Sequence, residues 1–359
     1  MQLLTYTWDF EKALDLGIVG LRYYSLLFAL GFILGYLLMK RIFQKEGISL
    51  EWLDSLLVYA VVGTVIGARL GHVFFYSWDY YQNNLIEIFM VWEGGLASHG
   101  AAIALIIAMY LFSKKVTKKS MFWILDKFVI TVALAGCFIR LGNMANSEIY
   151  GKVANSSIET VYLNPPKTKI QKWYSDYIAD VSFKKTNNRL ETDTISYPIY
   201  NMKLVAADGV SIDELKTILG HSMMGAINRL NADDQNILFQ ANSDIQVDEL
   251  ARQPTLVIQV LGVPRYPTQI IEAVAYLLIF VILYLLYQQP RLRSATGFTF
   301  GAFLVLVFGF RFLVEYMKAN QIDRETEMAL NMGQWLSIPL VIGGIAMCVW
   351  SLQNKKFHE

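Results

Sequence analysis

The chain has 359 residues, 55% of them hydrophobic and 17% charged, with a formal net charge of +1. That is too apolar for a soluble globule and describes a multi-pass membrane protein. The near-neutral balance leaves no basic surplus for a nucleic-acid partner, and none is expected.

Apolar windows close to the ~20 residues that cross a hydrocarbon core fall at about 22–43, 53–76, 96–113, 121–141, 267–288, 296–317 and 333–352. They predict seven transmembrane helices. Ahead of the first, no basic region, short apolar core and small-residue cleavage site follow one another, so no removable signal peptide is predicted. Lysine and arginine collect after the first window (Lys40, Arg41, Lys45), the third (Lys114, Lys115, Lys118, Lys119), the fifth (Arg291, Arg293) and the seventh (Lys355, Lys356). The alternate loops differ: 77–95 has neither residue, and 318–332 balances Lys318 and Arg324 against Asp323, Glu325 and Glu327. Because cytoplasmic loops accumulate lysine and arginine, the N-terminus is predicted outside and the C-terminus inside.

The connection 152–263 is too long for a turn and falls on the outer side, between a block of four helices (1–151) and one of three (264–359). Ser196 to Asp208 and Thr255 to Leu261 are rich in β-branched and aromatic residues and read as strands. Ser211-Ile-Asp-Glu214 reads as a capping box opening an amphipathic helix through Leu215, Ile218, Leu219, Met223, Ile227 and Leu230. The expected fold is therefore an all-α polytopic membrane protein of seven transmembrane helices with an inserted small α+β extracytoplasmic domain. Lys167, Lys169, Lys172, Lys184 and Lys185, beside Trp173, Tyr174 and Tyr177, form either a solvated face or a contact for membrane lipid heads.

Polar residues concentrate where the fourth window runs out, in Ile139-Arg140-Leu-Gly-Asn143-Met-Ala-Asn146-Ser-Glu148-Ile-Tyr-Gly151. Ionisable groups at a membrane edge cost several kcal/mol unless paired or wetted, so they mark functional sites by default. Given the helix directions, Tyr24, Arg69, His72, His99, Arg140, Arg265, Gln269, Glu272, Arg311 and Glu315 all fall at one level, the outer boundary. Glu148, Glu272 and Glu315 could neutralise the arginines in a structural salt-bridge network. Alternatively the arginines serve a phosphate, since the planar guanidinium grips phosphate oxygens bidentately and keeps its charge in a low dielectric. Phospholipid heads supply such phosphates at the outer leaflet, and a histidine within reach supplies a base near neutral pH. Cys137 and Cys348 lie in apolar runs and read as packing residues. The four histidines show no ligand spacing, so neither metal nor other cofactor is expected. A transporter, or a lipid-binding protein with an outer-leaflet anion site, is the alternative from another class. Repeated halves and helices broken at the midplane, usual in transporters, are not evident.

Several segments together resemble one family. They are Trp92-Glu93-Gly-Gly-Leu-Ala-Ser-His99-Gly100, Arg140-Leu-Gly-Asn143-Met-Ala-Asn146-Ser-Glu148 and Pro264-Arg265-Tyr266-Pro-Thr-Gln269 with Glu272. Arg22-Tyr23-Tyr24, Gly67-Ala-Arg69-Leu-Gly71, Phe310-Arg311-Phe312 with Glu315, and Gly333-Gln334-Trp-Leu-Ser337-Ile-Pro339 extend the likeness through all seven windows. The chain resembles the prolipoprotein diacylglyceryl transferases. The resemblance implies an enzyme of the bacterial cytoplasmic (inner) membrane that moves the diacylglyceryl group of phosphatidylglycerol onto the lipobox cysteine in a prolipoprotein signal peptide. A thioether forms and glycerol phosphate leaves. By the same resemblance His99 matches the histidine of the His-Gly segment, Arg140 the signature arginine, Arg311 that of the sixth helix, and Tyr24 an N-terminal tyrosine. Arg140, Asn143, Asn146, Glu148, Arg69, Arg265 and Gln269 are the expected phosphatidylglycerol contacts. The chain departs from the family at Ile139 (usually glycine), Tyr266 (usually histidine), Val307 (often tyrosine) and in the length of 152–263. The chemistry suits the residues: a thiol of pKa about 8.5 must ionise to attack carbon, and the departing phosphate needs fixed cations.

Overall fold

The computed structural model describes residues 4–15, 20–91, 94–156, 158–240, 243, 245–248, 253–319 and 329–354. Trp92, Glu93, Asp323 to Glu327, Lys355, Lys356 and His358, used above, lie outside the described residues. Strands β1 (Leu4–Trp8), β2 (Ala13–Asp15) and β3 (Gly20–Arg22) lead into helices α1 (Tyr23–Lys45), α2 (Leu50–Tyr76), the single turn α3 (Trp78–Tyr81), α4 (Ser98–Phe112) and α5 (Met121–Ala145). Next come β4 (Ile158–Tyr162), α6 (Asn164–Trp173), β5 (Ile178–Glu191), β6 (Ser196–Ala206), α7 (Ile212–Ile218), α8 (Met224–Asn228), β7 (Ile237–Phe239), β8 (Ile245–Val247) and β9 (Thr255–Gly262). The chain closes with α9 (Thr268–Gln288), the short α10 (Pro290–Arg293), α11 (Phe298–Val314) and α12 (Met332–Gln353).

All seven apolar windows form helices. Among the described residues six are long and apolar enough to cross a membrane: α1, α2, α4 with its continuation to Thr117, α5, α9 and α12. The seventh, α11, has 17 residues and a length of about 26 Å. It stops short of the expected window because the chain turns at Glu315–Met317 and Lys318 pairs with Gly151 as an isolated bridge.

The chain divides into two compact units, Met1–Leu27 with Ile139–Val274 and Arg311–Trp335, and Phe28–Phe138 with Ala275–Phe310 and Leu336–Glu359. Residues 152–263 thus share a unit with the N-terminal strands and with the ends of α5 and α9. At its centre is an antiparallel sheet in the order β5-β6-β9-β7, with β8 also beside β9. The strands expected from 196 and 255 are β6 and β9, paired in the register Met202↔Ile258 and Leu204↔Leu256. Along β6 every second residue is buried, which is the period of a sheet with one covered face. Its Tyr200, Met202, Leu204 and Ala206 form one core with Leu215, Leu219, Met223 and Ile227 of the helical segment. Ser211 and Glu214 close the capping box by reciprocal bonds. A feature without a sequence signal is the parallel pairing of β1 with β4, from Leu4↔Ile158 to Trp8↔Tyr162. Glu159, fully buried, holds it by accepting from Thr5 Oγ1 (2.6 Å) and from Arg189 (2.8 Å).

In the second unit α2 and α4 approach closely along a seam of small residues. Gly63, Gly67 and Gly71 recur at every fourth position and face Ala108, Ala104 and Gly100. A Cβ on Gly71 would lie 2.7 Å from the Gly100 Cα, a distance that only glycine on both helices permits. Between helices in lipid, such backbone proximity replaces the missing hydrophobic drive.

Candidate active site

The end of α5 and the loop behind it carry the signature residues of the first unit. Arg140 Nη1 donates to Asn143 Oδ1 (3.3 Å), and Asn143 Nδ2 donates onward to Glu148 (2.9 Å), whose same oxygen takes Asn146 Nδ2 at 3.3 Å. The three-residue step from 140 to 143 to 146 keeps the guanidinium and both carboxamides on one side of the helix. The backbone then leaves the helix sharply: Ser147 and Ile149 have φ of 54° and 56°. Left-handed backbone costs a β-branched residue such as Ile149 about 1–3 kcal/mol and persists only where its surroundings enforce it. Here they do, because Gln269 donates to Glu148 O (2.9 Å), Thr268 Oγ1 to Ile149 O (3.2 Å), and Tyr162 in turn to Gln269 (2.8 Å). Both sides of Glu148 are thereby fixed, with its carboxylate directed back toward the asparagines. Tyr24 lies over Gly142, where a Cβ would meet its ring at 2.7 Å.

The second arm of the Arg140 fork, Nη2, is 3.4 Å from Glu272 Oε1. Glu272 is fully buried and also lies 3.0 Å from Lys318 Nζ, which is 3.4 Å from Glu315; Glu315 pairs with Arg311 at 3.6 Å. Both ion pairs to Glu272 fall on the same oxygen, Oε1. Coulomb attraction to two cations holds this buried carboxylate. Burial, and after it the Arg140 charge, push the Lys318 ammonium below its ordinary value, with Glu272 and Glu315 pulling upward. Asn331 bonds the other Glu315 oxygen at 3.0 Å. The result is an alternating chain of Arg140, Glu272, Lys318, Glu315 and Arg311, with Glu148 attached through Asn143. Lys318 and Asn331 are the members that sequence reasoning missed; Lys318 stands in a loop and looked like one of its solvated charges.

Two arginines expected at a phosphate have other partners. Arg265 is fully buried: its guanidinium donates to Gly151 O (3.2 Å), Ala232 O and Gln235 O (both 2.7 Å) and lies 4.8 Å from the Tyr150 ring centroid. This residue ties the 232–235 loop to the segment behind the signature. Arg69, in the second unit, is 3% exposed. It donates to Ile88 O (2.9 Å), Gly94 O (2.6 Å) and Glu87 O and stacks on Tyr81. In this structure both are carbonyl clamps, each guanidinium donating to the backbone carbonyls of the irregular segments beside it.

His99 also belongs to the second unit, in the first turn of α4, exposed, and without a side-chain hydrogen-bond partner among the described residues. The backbone ahead of it is pinned to α2 by Ala97 N donating to Ala68 O (2.8 Å). The competing histidine, His72, is enclosed instead. Its ring stacks on Tyr76, meets Tyr81 edge-on, lies 3.3 Å from Ser77 Oγ and fills the space beside Gly95.

Helices of membrane-crossing length define a polytopic membrane protein, and a guanidinium–carboxamide–carboxylate network gathers around the end of α5. Comparison with known proteins names the family. The model described as prolipoprotein diacylglyceryl transferase matches residues 11–350. The phosphatidylglycerol–prolipoprotein diacylglyceryl transferase of Tolumonas auensis is 33% identical over 97% of this chain and 98% of its own. That of Porphyromonas gingivalis is 32% identical over 97% and 95%, and that of Bacteroides fragilis 30% over 96% and 94%. The chain belongs to the prolipoprotein diacylglyceryl transferase family, and is a transferase.

Proposed function

We propose that this protein transfers the diacylglyceryl group of phosphatidylglycerol to the cysteine thiol in the lipobox of prolipoproteins. The observation that carries the residue assignment is the Arg140–Glu272–Lys318–Glu315–Arg311 chain. Arg140 and Arg311 grip the phosphodiester of the lipid, each giving up part of its hold on a glutamate, while Asn143, Asn146 and Glu148 orient the head group and Gln269 supports Glu148 from its backbone side. Tyr24 stands beside Arg140 as a phenol donor. His99 takes the thiol proton. The thiolate sulfur then attacks the glyceryl carbon that bears the phosphate; the S–C bond forms, the C–O bond to phosphate breaks, and glycerol phosphate leaves with the bonding electrons.

The network also favours turnover. Three cations (Arg140, Lys318, Arg311) balance three carboxylates (Glu148, Glu272, Glu315) before substrate arrives. A phosphodiester adds one negative charge and the phosphate monoester product nearly two. Glutamates fixed in place therefore repel product more than substrate, while the arginines meet the charge as it develops.

The alternation of lysine-rich and lysine-poor loops supports seven spans in the bacterial inner membrane with the N-terminus outside, the C-terminus cytoplasmic and residues 152–263 forming an extracytoplasmic domain. The deciding experiment incubates purified protein with phosphatidylglycerol and a lipobox peptide and weighs the peptide. A gain of one diacylglyceryl unit is expected, and its absence refutes the assignment.

A further inference from the structure

Lys318 is the middle member of the charge chain and the most enclosed of its three cations. Its backbone is held from both sides by the segment behind the signature, Lys152 N donating to Met317 O (2.8 Å) and Ala319 N to Tyr150 O (3.3 Å). Gly151 lets the two segments come so near, since a Cβ there would lie 2.9 Å from Met317 O. The lysine side chain is 3% exposed, against 12% for Arg140 and 33% for Arg311. The lysine is thus the closed middle of the chain, and the arginines are its more open ends.

On each glutamate the lysine and an arginine share a single oxygen. Glu272 Oε1 is 3.0 Å from the Lys318 ammonium and 3.4 Å from Arg140 Nη2. Glu315 Oε1 is 3.4 Å from the ammonium and 3.6 Å from Arg311 Nε. In both cases the lysine is the nearer partner. A glutamate whose arginine turns to a phosphate therefore keeps a cation, and Glu315 also keeps the Asn331 amide at 3.0 Å. Asn331 is itself fixed at the start of α12, where it and Gln334 exchange backbone-to-side-chain bonds of 3.1 and 2.9 Å. Leaving a buried carboxylate without any cation is strongly destabilising, and the shared lysine avoids that state. It also sets the charge balance. Without Lys318, Glu148, Glu272 and Glu315 outnumber Arg140 and Arg311, and an incoming anion meets a net negative site whose arginines are each committed to one glutamate.

We propose that Lys318 is a positioning residue for the transfer: by holding Glu272 and Glu315 at once, without touching the lipid, it leaves Arg140 and Arg311 able to turn to an anionic phospholipid. This role rests on the reading of the two arginines as phosphate ligands. Steady-state transfer to a lipobox peptide by the purified full chain in detergent, with phosphatidylglycerol varied, tests it. Lys318→Met should raise KM for phosphatidylglycerol about tenfold or more and lower kcat less. A lysine that only supported the fold would lower the active fraction, and with it kcat, while KM stayed in place. Lys318→Arg keeps the charge and should bring KM back close to wild type. Lys318→Met combined with Glu272→Gln removes one charge of each sign, a change that buried pairs tolerate far better than loss of one partner, and KM should again fall toward the wild-type value. Lys318→Gln serves if the methionine variant does not fold. An unchanged KM in the folded single variant, or no recovery in the double variant, overturns the proposal. Normal transfer by Arg140→Lys and Arg311→Lys would instead overturn the phosphate reading beneath it.

Discussion

Replacing Arg140 by lysine separates a substrate role from a structural one. In the structure the guanidinium spreads two arms, one to Asn143 Oδ1 at 3.3 Å and one to Glu272 Oε1 at 3.4 Å. Lysine keeps the charge and can stay beside Glu272, so the buried carboxylate remains neutralised and folding should change little. A point-charge ammonium cannot also hold Asn143 and present a planar pair of donors to a phosphate. Losing one charge-assisted hydrogen bond in the transition state is worth about 1.5–3 kcal/mol, a fall of roughly tenfold to more than a hundredfold in kcat/KM. The assay is diacylglyceryl transfer to a lipobox peptide by mass, run beside a thermal melt of the same preparation. Near-normal turnover with an unchanged Tm would make Arg140 a counter-ion of Glu272 and refute the phosphate assignment.

Glu272→Gln should do the reverse: it leaves Arg140 and Lys318 facing each other in a buried place, and the melt should report a loss of about 3–5 kcal/mol. His99→Gln should bind phosphatidylglycerol normally yet transfer slowly, and raising the pH from 7 to 8 should restore its rate several-fold as more thiol ionises unaided. Arg140→Lys should show no such recovery, and a flat pH response in His99→Gln would place the base elsewhere. Gly71→Ala drives a methyl into the Gly100 backbone; a loss of about 1–3 kcal/mol is expected, with transfer falling as the His99 segment shifts. In intact cells an impermeant thiol reagent should label Asn187→Cys and not Lys115→Cys; the opposite pattern would invert the topology. Lys318 is unsuited to that test, because its side chain is only 3% exposed.

What could be seen in the sequence follows the range of the interactions concerned. The seven apolar windows, β6, β9 and the Ser211–Glu214 box depend on neighbours a few residues apart, and each forms close to where the pattern put it, although α11 stops short of its window. The α5 signature was legible for the same reason, since Arg140, Asn143 and Asn146 share a helix side by their spacing alone. Partner choice was not legible. Nothing in the types Arg69 and Arg265 announces the carbonyls they hold, which come from Glu87, Ile88 and Gly94 for one and from Gly151, Ala232 and Gln235 for the other. Lys318 looked like an ordinary loop charge because its two glutamates come from positions 272 and 315, and only the folded chain brings 272 to it. Ser147 and Ile149 carry no glycine or asparagine to announce left-handed backbone.

The parallel pair of β1 with β4 sets a clock on biogenesis. Leu4 waits for Ile158, and at synthesis rates of about 5–20 residues per second the first strand is made roughly 8–30 s before its partner exists. During that interval α1, α2, α4 and α5 are produced, while Thr5 has neither Glu159 nor Arg189 to bind. The first strand is thus among the earliest segments made and among the last to settle. A rapidly folding fusion placed directly ahead of it would compete for the strand during the wait, whereas one behind α12 would arrive after the pair has closed.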